Sequence, residues 1–104
     1  MIVTGWSNGN PNLATGSGYG VRIATRDRDL YLRRQWSEVA VLMESGQRVR
    51  VTLSPSFWRR CSELRSAKIG RWMLDNGVAR WPKGSPPKLR LEPTGEAEFG
   101  LSLG

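Results

Sequence analysis

The chain has 104 residues, of which 38 % are hydrophobic and 24 % charged, so it is long enough for one small domain and too apolar to be a disordered chain. It contains no histidine and a single cysteine, which excludes His-dependent catalytic triads, the usual zinc sites and an internal disulfide. Sixteen basic residues against nine acidic ones give a net charge of +7.

Residues 1–18 are predicted to form a flexible N-terminal tail, and residues 19–104 a single α+β domain. The tail is rich in Asn, Ser, Thr and Gly, which favour turns and flexible backbone. The glycine-rich stretch 16–20 precedes a strand, whereas a phosphate-binding glycine turn joins a strand to a helix. We therefore interpret it as a linker. Residues 83–85 lack the order of a P-loop, so no cofactor site is predicted.

Alternating apolar residues predict strands from Tyr19 onwards, with residues 25–29 as a turn or one helical turn. The clearest hairpin has a three-residue loop over 44–46, with Gly46 in a left-handed conformation. This register pairs Val41 with Val49 and Val39 with Val51, and it places all four valines on one buried face. The opposite face receives Glu38, Ala40, Leu42, Arg48, Arg50 and Thr52.

A helical segment is predicted between Ser54-Pro55, a typical helix start, and the stop signal at residues 75–77. Ser62 suits the cap of a second helix, so we expect a short helix followed by a longer one. Cys61 is expected to be buried, because it lies on the apolar face between Phe57 and Leu64, and structural, because no histidine base accompanies it. The apolar face of the segment consists of Phe57, Trp58, Cys61, Leu64, Ile69, Trp72 and Met73.

The last third is predicted to be a proline-rich loop and a second hairpin that turns at residues 93–95. Glu96 and Glu98 are expected to lie within reach of Lys88 and Arg90. The order of elements predicts an α+β fold. Its sheet is a small twisted antiparallel sheet or partial barrel of about five strands, with one or two helices inserted between hairpins.

The functional hypothesis is a small non-catalytic nucleic-acid-binding domain that uses an arginine-rich surface. Thirteen of the sixteen basic residues are arginine, whose planar fork suits phosphates, although a GC-rich genome produces the same bias. A loop tryptophan beside cationic groups can stack on a base. The sequence does not distinguish DNA from RNA. The predicted nucleic-acid contacts are Arg48, Arg50, Arg59, Arg60, Arg71 and Trp81.

The alternative is a protein-interaction module, an inhibitor or accessory factor that covers an acidic protein surface. Arginine and tryptophan serve that role equally well, because both are enriched at interface hot spots. A homo-oligomer that uses the strand face of Ala40 and Leu42 is a variant of this hypothesis.

No enzyme is predicted, and neither catalytic nor metal-binding residues are assigned. The scattered carboxylates Asp27, Asp29, Glu38 and Glu63 lack the spacing of a metal-dependent nuclease. No apolar run approaches the roughly 18 residues that span a bilayer, and no signal-peptide pattern opens the chain. With one cysteine, we expect a cytoplasmic location and no membrane partner.

Overall fold

The computed structural model describes all 104 residues, and it contains three helices and a seven-stranded sheet that curls into a nearly closed barrel. The strand order is β4-β3-β7-β6-β1-β2-β5, and every neighbouring pair is antiparallel except β3 and β7, which are parallel. The elements are β1 (Ile2–Ser7), β2 (Tyr19–Arg22), α1 (Thr25–Tyr31), β3 (Glu38–Met43), β4 (Arg48–Thr52), α2 (Pro55–Arg59), β5 (Glu63–Arg65), α3 (Ala67–Asp75), β6 (Lys88–Gly95) and β7 (Glu98–Ser102).

The α+β class is confirmed, whereas the sheet differs from the expected one. It has seven strands instead of about five, it is mixed instead of antiparallel, and three helices accompany it. The end strands β4 and β5 lie near each other without pairing, so the barrel stays open along one seam.

The prediction of a tail without regular structure is wrong for Ile2–Ser7. This stretch is β1, which pairs with β2 on one side and β6 on the other, and Val3 is buried in the core. Residues 8–18 form an ordered connection in which the Asn12 side-chain oxygen accepts hydrogen bonds from the backbone N–H groups of Ala14 and Thr15. Such Asx turns replace the regular hydrogen bonds that a loop lacks.

The first hairpin follows the predicted register. Val39 pairs with Val51 and Val41 with Val49, all four valines are buried, and Gly46 has a φ of 91°. Ala40 was expected on the exposed face but is buried at 6 % exposure. The parallel strand β7 explains this difference, because it pairs with β3 on the side where the prediction gave β3 no neighbouring strand.

The helical segment contains a short strand that the sequence analysis did not predict. Two helices form as expected, but the short strand β5 separates them, and Ser66 instead of Ser62 caps α3. Ser62 is buried and its hydroxyl donates to the carbonyl of Ile23. Cys61 lies in the connection before β5 and is half-buried, so the expectation of full burial is wrong.

The second hairpin turns two residues later than predicted, at residues 96–97, with a bulge between Pro93 and Gly95. Glu98 does not pair with Lys88 or Arg90. It lies beside β3 and forms an ion pair with Arg48 on β4, at 3.3 Å. The parallel β3–β7 pairing produces this contact.

Twenty buried residues form one core; they come from all seven strands, from α2 and α3, and from three connections, which supply Ile23, Leu32 and Leu53. Trp72 is buried, as predicted, whereas Trp58 is half-buried and packs against the core from outside. None of the three helices has the length and apolar character needed to cross a membrane.

Glu92 links the chain start to β6, and it provides a pH-dependent contribution to stability. The N-terminal ammonium of Met1 donates to its carboxylate at 2.9 Å, and this hydrogen bond lowers the pKa of Glu92 below its ordinary value of 4.5. A carboxylate with a lowered pKa stabilises the fold above its unfolded-state pKa, and that contribution is lost as the pH falls through the folded-state pKa. We expect Glu92→Gln, with the free amine of Met1 retained, to lower the melting temperature at pH 7 and to match the wild type below the folded-state pKa of Glu92. A difference in melting temperature that persists unchanged at low pH would contradict this.

Candidate nucleic-acid interface

Arg48 and Arg50 lie on the outer face of β4, as the hairpin register predicts, but each has a carboxylate partner. Arg48 pairs with Glu98 at 3.3 Å, and Arg50 pairs with Glu38 at 3.2 Å. Glu96 lines the same surface depression. The β3–β4–β7 face therefore carries compensated charge and is not a continuous basic patch.

Arg48 and Arg50 also face a groove at the open seam of the barrel. Lys68 lines its far wall at the start of α3, and this ammonium has no carboxylate oxygen within 4.0 Å. Arg71 follows on the same helix and lines the next depression together with Lys68. It is bound internally, because it pairs with Asp75 at 3.1 Å and donates to the Ala14 carbonyl at 2.6 Å.

Trp81 is half-buried and packs against the core. Its ring lies 5.6 Å from the ring of Tyr19. A Cβ atom added to Gly5 would approach both Trp81 and Pro87, so the indole covers the glycine of β1. The indole of Trp81 is therefore partly exposed, and its buried side packs against Tyr19 and β1.

Arg59 and Arg60 lie at the end of α2, away from the four surface depressions of the barrel. They adjoin Trp58, whose ring is approached by two guanidinium groups from the α1 side. The guanidinium carbon of Arg28 lies 5.7 Å from the ring centroid and that of Arg34 lies 5.3 Å from it. These are cation–π distances. Trp58 thus joins the α1 and α2 regions into one surface.

We call this the α1–α2 arginine surface. Four of its arginines have no carboxylate oxygen within 4.0 Å, and Asp29 is the acidic partner of Arg34 and of the buried Arg28. Residues 25–34 and 54–60 contain only two acidic residues, Asp27 and Asp29, so these two segments carry +4 of the chain's net charge of +7. The surface consists of Arg26, Arg33, Arg34, Arg59 and Arg60 together with Trp58, and Arg28 is buried beneath it.

The structure therefore does not bring the six predicted contacts into one patch. Arg48, Arg50 and Arg71 neighbour Lys68 along the seam, Arg59 and Arg60 belong to the α1–α2 arginine surface, and Trp81 packs on Tyr19.

Sequence reasoning missed two groups that the structure places at the surface. Arg34 contacts Trp58 although 24 positions separate them, and no local sequence pattern predicts that contact. Arg65 stacks on Trp6, with its guanidinium carbon 4.6 Å from the ring centroid. Because residues 1–18 were interpreted as a tail, the sequence analysis did not place Trp6 on a strand.

No protein-family model, curated protein or solved structure matches this chain.

Proposed function

We propose that this chain is a small non-catalytic nucleic-acid-binding domain that holds phosphates on the α1–α2 arginine surface. One observation supports the proposal above all: four guanidinium groups, those of Arg26, Arg33, Arg59 and Arg60, are exposed there with no carboxylate partner. Free guanidinium groups form charge-assisted, bidentate hydrogen bonds with phosphate oxygens.

The proposed role of Trp58 is to position arginines, and not to stack on a base. The buried Arg28 and the exposed Arg34 both approach its ring, and the half-buried indole holds the Arg34 guanidinium group in place. Restricting long side chains in this way reduces the entropy lost when a phosphate binds. Phosphate contacts position a protein without reading sequence, so the proposal covers DNA and RNA alike.

The test is a titration of fluorescent duplex and single-stranded oligonucleotides over a series of salt concentrations. We expect Arg59→Ala/Arg60→Ala to weaken binding to every sequence alike. Each lost phosphate contact reduces the log–log salt slope on duplex by about 0.9, so the double variant should reduce it by about 1.8.

A charge-matched control shows whether binding depends on the α1–α2 arginine surface or only on the net charge of the protein. Lys83→Ala/Lys88→Ala removes the same two charges from exposed side chains outside the α1–α2 arginine surface. A third variant, Arg48→Ala/Arg50→Ala, tests the other predicted contacts. Equal losses in all three would show that binding follows total charge, and binding that ignores all three would contradict the proposal.

The protein-interaction module is the second candidate, and exposed apolar residues on α1 favour it. Leu30 is 69 % exposed and Tyr31 is 44 % exposed, next to Arg33 and Arg34. A partner with both acidic and apolar groups fits this combination better than a phosphate backbone does. Weak salt dependence together with sensitivity to Leu30→Ser would favour this candidate.

The cellular setting forms part of the proposal. We expect the domain to act in a reducing cytoplasm, because its only cysteine, Cys61, has no partner within the chain.

A further inference from the structure

Trp6 and Arg65 form a stacked pair on the outer face of the barrel. Trp6 is opposite Gly20 on β2, and Gly20 is opposite Arg65 on β5. Val21 and Leu64, the next pair in the register, are fully buried, so the alternation of side chains places Trp6 and Arg65 outside. Because glycine has no side chain, the indole and the guanidinium group meet above Gly20, at 4.6 Å from carbon to ring centroid. A Cβ atom on Gly20 would also overlap the carbonyl oxygen of Leu64, so this position requires glycine.

Glu63 fixes Arg65 without neutralising the pair. Its buried carboxylate accepts a hydrogen bond from Nη2 of Arg65 at 2.8 Å and another from Nε of Arg22 at 3.2 Å. Two guanidinium groups therefore share one carboxylate, and one positive charge remains in excess. The hydrogen bond to Glu63 uses one of the five N–H groups of Arg65, whose side chain is 53 % exposed. The other N–H groups are available to an anion from the solvent side.

A pocket of about 370 Å³ adjoins this pair, between the end of β1, the connection before β2 and the start of α3. Small-molecule sites have volumes of about 300–1,000 Å³. The Asn8 side-chain oxygen accepts from the N–H of Asn10 at 2.9 Å, which leaves the Asn8 NH2 group available as a donor. Ser17 and Ser66 add hydroxyl groups, and no acidic side chain lines the pocket. We call it the Trp6 pocket.

The Trp6 pocket combines a flat aromatic and cationic surface with a set of hydrogen-bond donors. Bases of any identity stack on aromatic rings, and guanidinium groups form charge-assisted hydrogen bonds with phosphate oxygens. Other ligands use only part of this combination. A neutral sugar leaves the positive charge uncompensated, an acidic peptide has no planar ring, and a paired base hides its faces inside the duplex stack.

We propose that the Trp6 pocket binds one unpaired nucleotide. Its base stacks on the pair of Trp6 and Arg65, and its phosphate accepts hydrogen bonds from the Arg65 guanidinium and the Asn8 side-chain amide. A free nucleotide and a nucleotide within a single strand present the same base and phosphate. The pocket shares no residue with the α1–α2 arginine surface, so this proposal does not depend on the proposed function.

The probe is adenosine monophosphate, titrated into the wild-type protein. The NMR signals of the Trp6 indole N–H and of the Ala67 amide report on the pocket, which both residues line. Adenosine and inorganic phosphate are the matched ligands, because each lacks one half of the nucleotide. We expect adenosine monophosphate to shift both signals and to bind more tightly than either half.

A single-stranded hexa-adenylate distinguishes the two sources of the nucleotide. Tighter binding than that of the mononucleotide, measured at the same two signals, assigns the pocket to a strand. Weaker binding assigns it to a free nucleotide. The two signals lie in the pocket, so binding of the strand to the α1–α2 arginine surface does not affect this comparison.

Two variants test the ring and the charge separately, with the Ala67 amide as the readout. Trp6 does not belong to the residues that pack against the core, so Trp6→Leu should fold, which thermal unfolding checks. We expect Trp6→Leu to weaken the binding of adenosine monophosphate by about 5- to 150-fold, the loss of one base–aromatic stack. Arg65→Ala should weaken it by about 10- to 150-fold, the loss of one charge-assisted hydrogen bond. Arg22→Ala is the charge-matched control, because Arg22 shares the Glu63 carboxylate but does not line the pocket, and we expect little change there.

Several results would overturn this proposal. Unchanged signals at saturating adenosine monophosphate would show that the pocket takes no nucleotide. Equal shifts with inorganic phosphate would reduce the pocket to an anion site, and equal affinity for adenosine would remove the phosphate from it. Equal losses in Arg65→Ala and Arg22→Ala would show that binding follows charge alone. Loss of the shifts in Arg59→Ala/Arg60→Ala would place the nucleotide on the α1–α2 arginine surface instead.

Discussion

Gly70→Ala is expected to destabilise the protein, although the same substitution within an exposed helix normally stabilises it by about 1 kcal/mol. Gly70 lies within α3, and a Cβ atom there would overlap the carbonyl oxygen of Gly16 and approach the Cβ of Tyr19 at 2.8 Å. The obstacle is backbone, which a rotamer change cannot remove. Overpacking of this kind costs about 1–3 kcal/mol, so the clash outweighs the helix propensity.

Urea denaturation measures this free-energy change, and Gly100→Ala is the matched control. A Cβ on Gly100 meets only the Thr94 methyl, at 3.4 Å, so we expect little change there. Hydrogen exchange adds a structural readout. If Gly70→Ala pushes the 8–18 connection off α3, the Gly16 amide, which bonds to the Asn12 carbonyl, should lose protection. A Gly70→Ala variant more stable than the wild type would contradict the described contact.

The contact between Gly16 and Gly70 also shows why the first 18 residues were misinterpreted. Their composition is that of a flexible segment, and composition describes local preference only. The order of this segment comes from distant partners, since Val3 on β1 pairs with Leu89 on β6. No local pattern encodes a pairing across 86 positions. The first hairpin was predictable for the opposite reason, because a three-residue loop and strict alternation fix its register within 15 residues.

The interruption of the helical segment has a different cause. Leu64 lies on the apolar face of a helical wheel, and it is equally suited to the buried centre of a three-residue strand. Periodicity over so few residues does not separate the two conformations. Glu63 on the same strand is buried with its carboxylate between Arg22 and Arg65, at 3.2 and 2.8 Å. That ion-pair network exists only once β2 and β5 are adjacent.

The candidate site was predictable in composition and not in arrangement. The arginines are exposed for the most part, as their charge requires, but which of them are neutralised depends on the topology. Arg48 was assigned to phosphate binding because β4 presents it outward, and the parallel β3–β7 pairing then supplies Glu98. Arg59 has no such neighbour. The positions of the carboxylates in the folded chain therefore decide which arginines are neutralised, and the arginine pattern in the sequence does not show this.

Arg28→Ala is expected to lower the free energy of unfolding by about 2–3 kcal/mol, far more than the loss of an exposed arginine. Arg28 is 7 % exposed and donates from Nη1 to the Phe57 carbonyl at 3.1 Å. That carbonyl lies in the last turn of α2, where the N–H of Cys61 bonds to Ser56 instead. Arg28 therefore satisfies an orphan carbonyl at a helix end. Hydrogen bonds to charged groups contribute about 1.5–3 kcal/mol, and the truncation also leaves a void beside Trp58.

Arg34→Ala is the matched control, because Arg34 approaches the same indole, at 5.3 Å, but has a side chain 67 % exposed. We expect its stability to stay within about 0.5 kcal/mol of the wild type. The two variants remove the same charge, so they also separate geometry from charge in oligonucleotide binding. Since Arg28 links α1 to α2 through the Phe57 carbonyl, its loss should loosen the α1–α2 arginine surface, and affinity should fall further in Arg28→Ala than in Arg34→Ala. Equal unfolding energies for the two variants would show that Arg28 does not hold the surface together, and equal affinities would show that phosphate binding responds to charge alone.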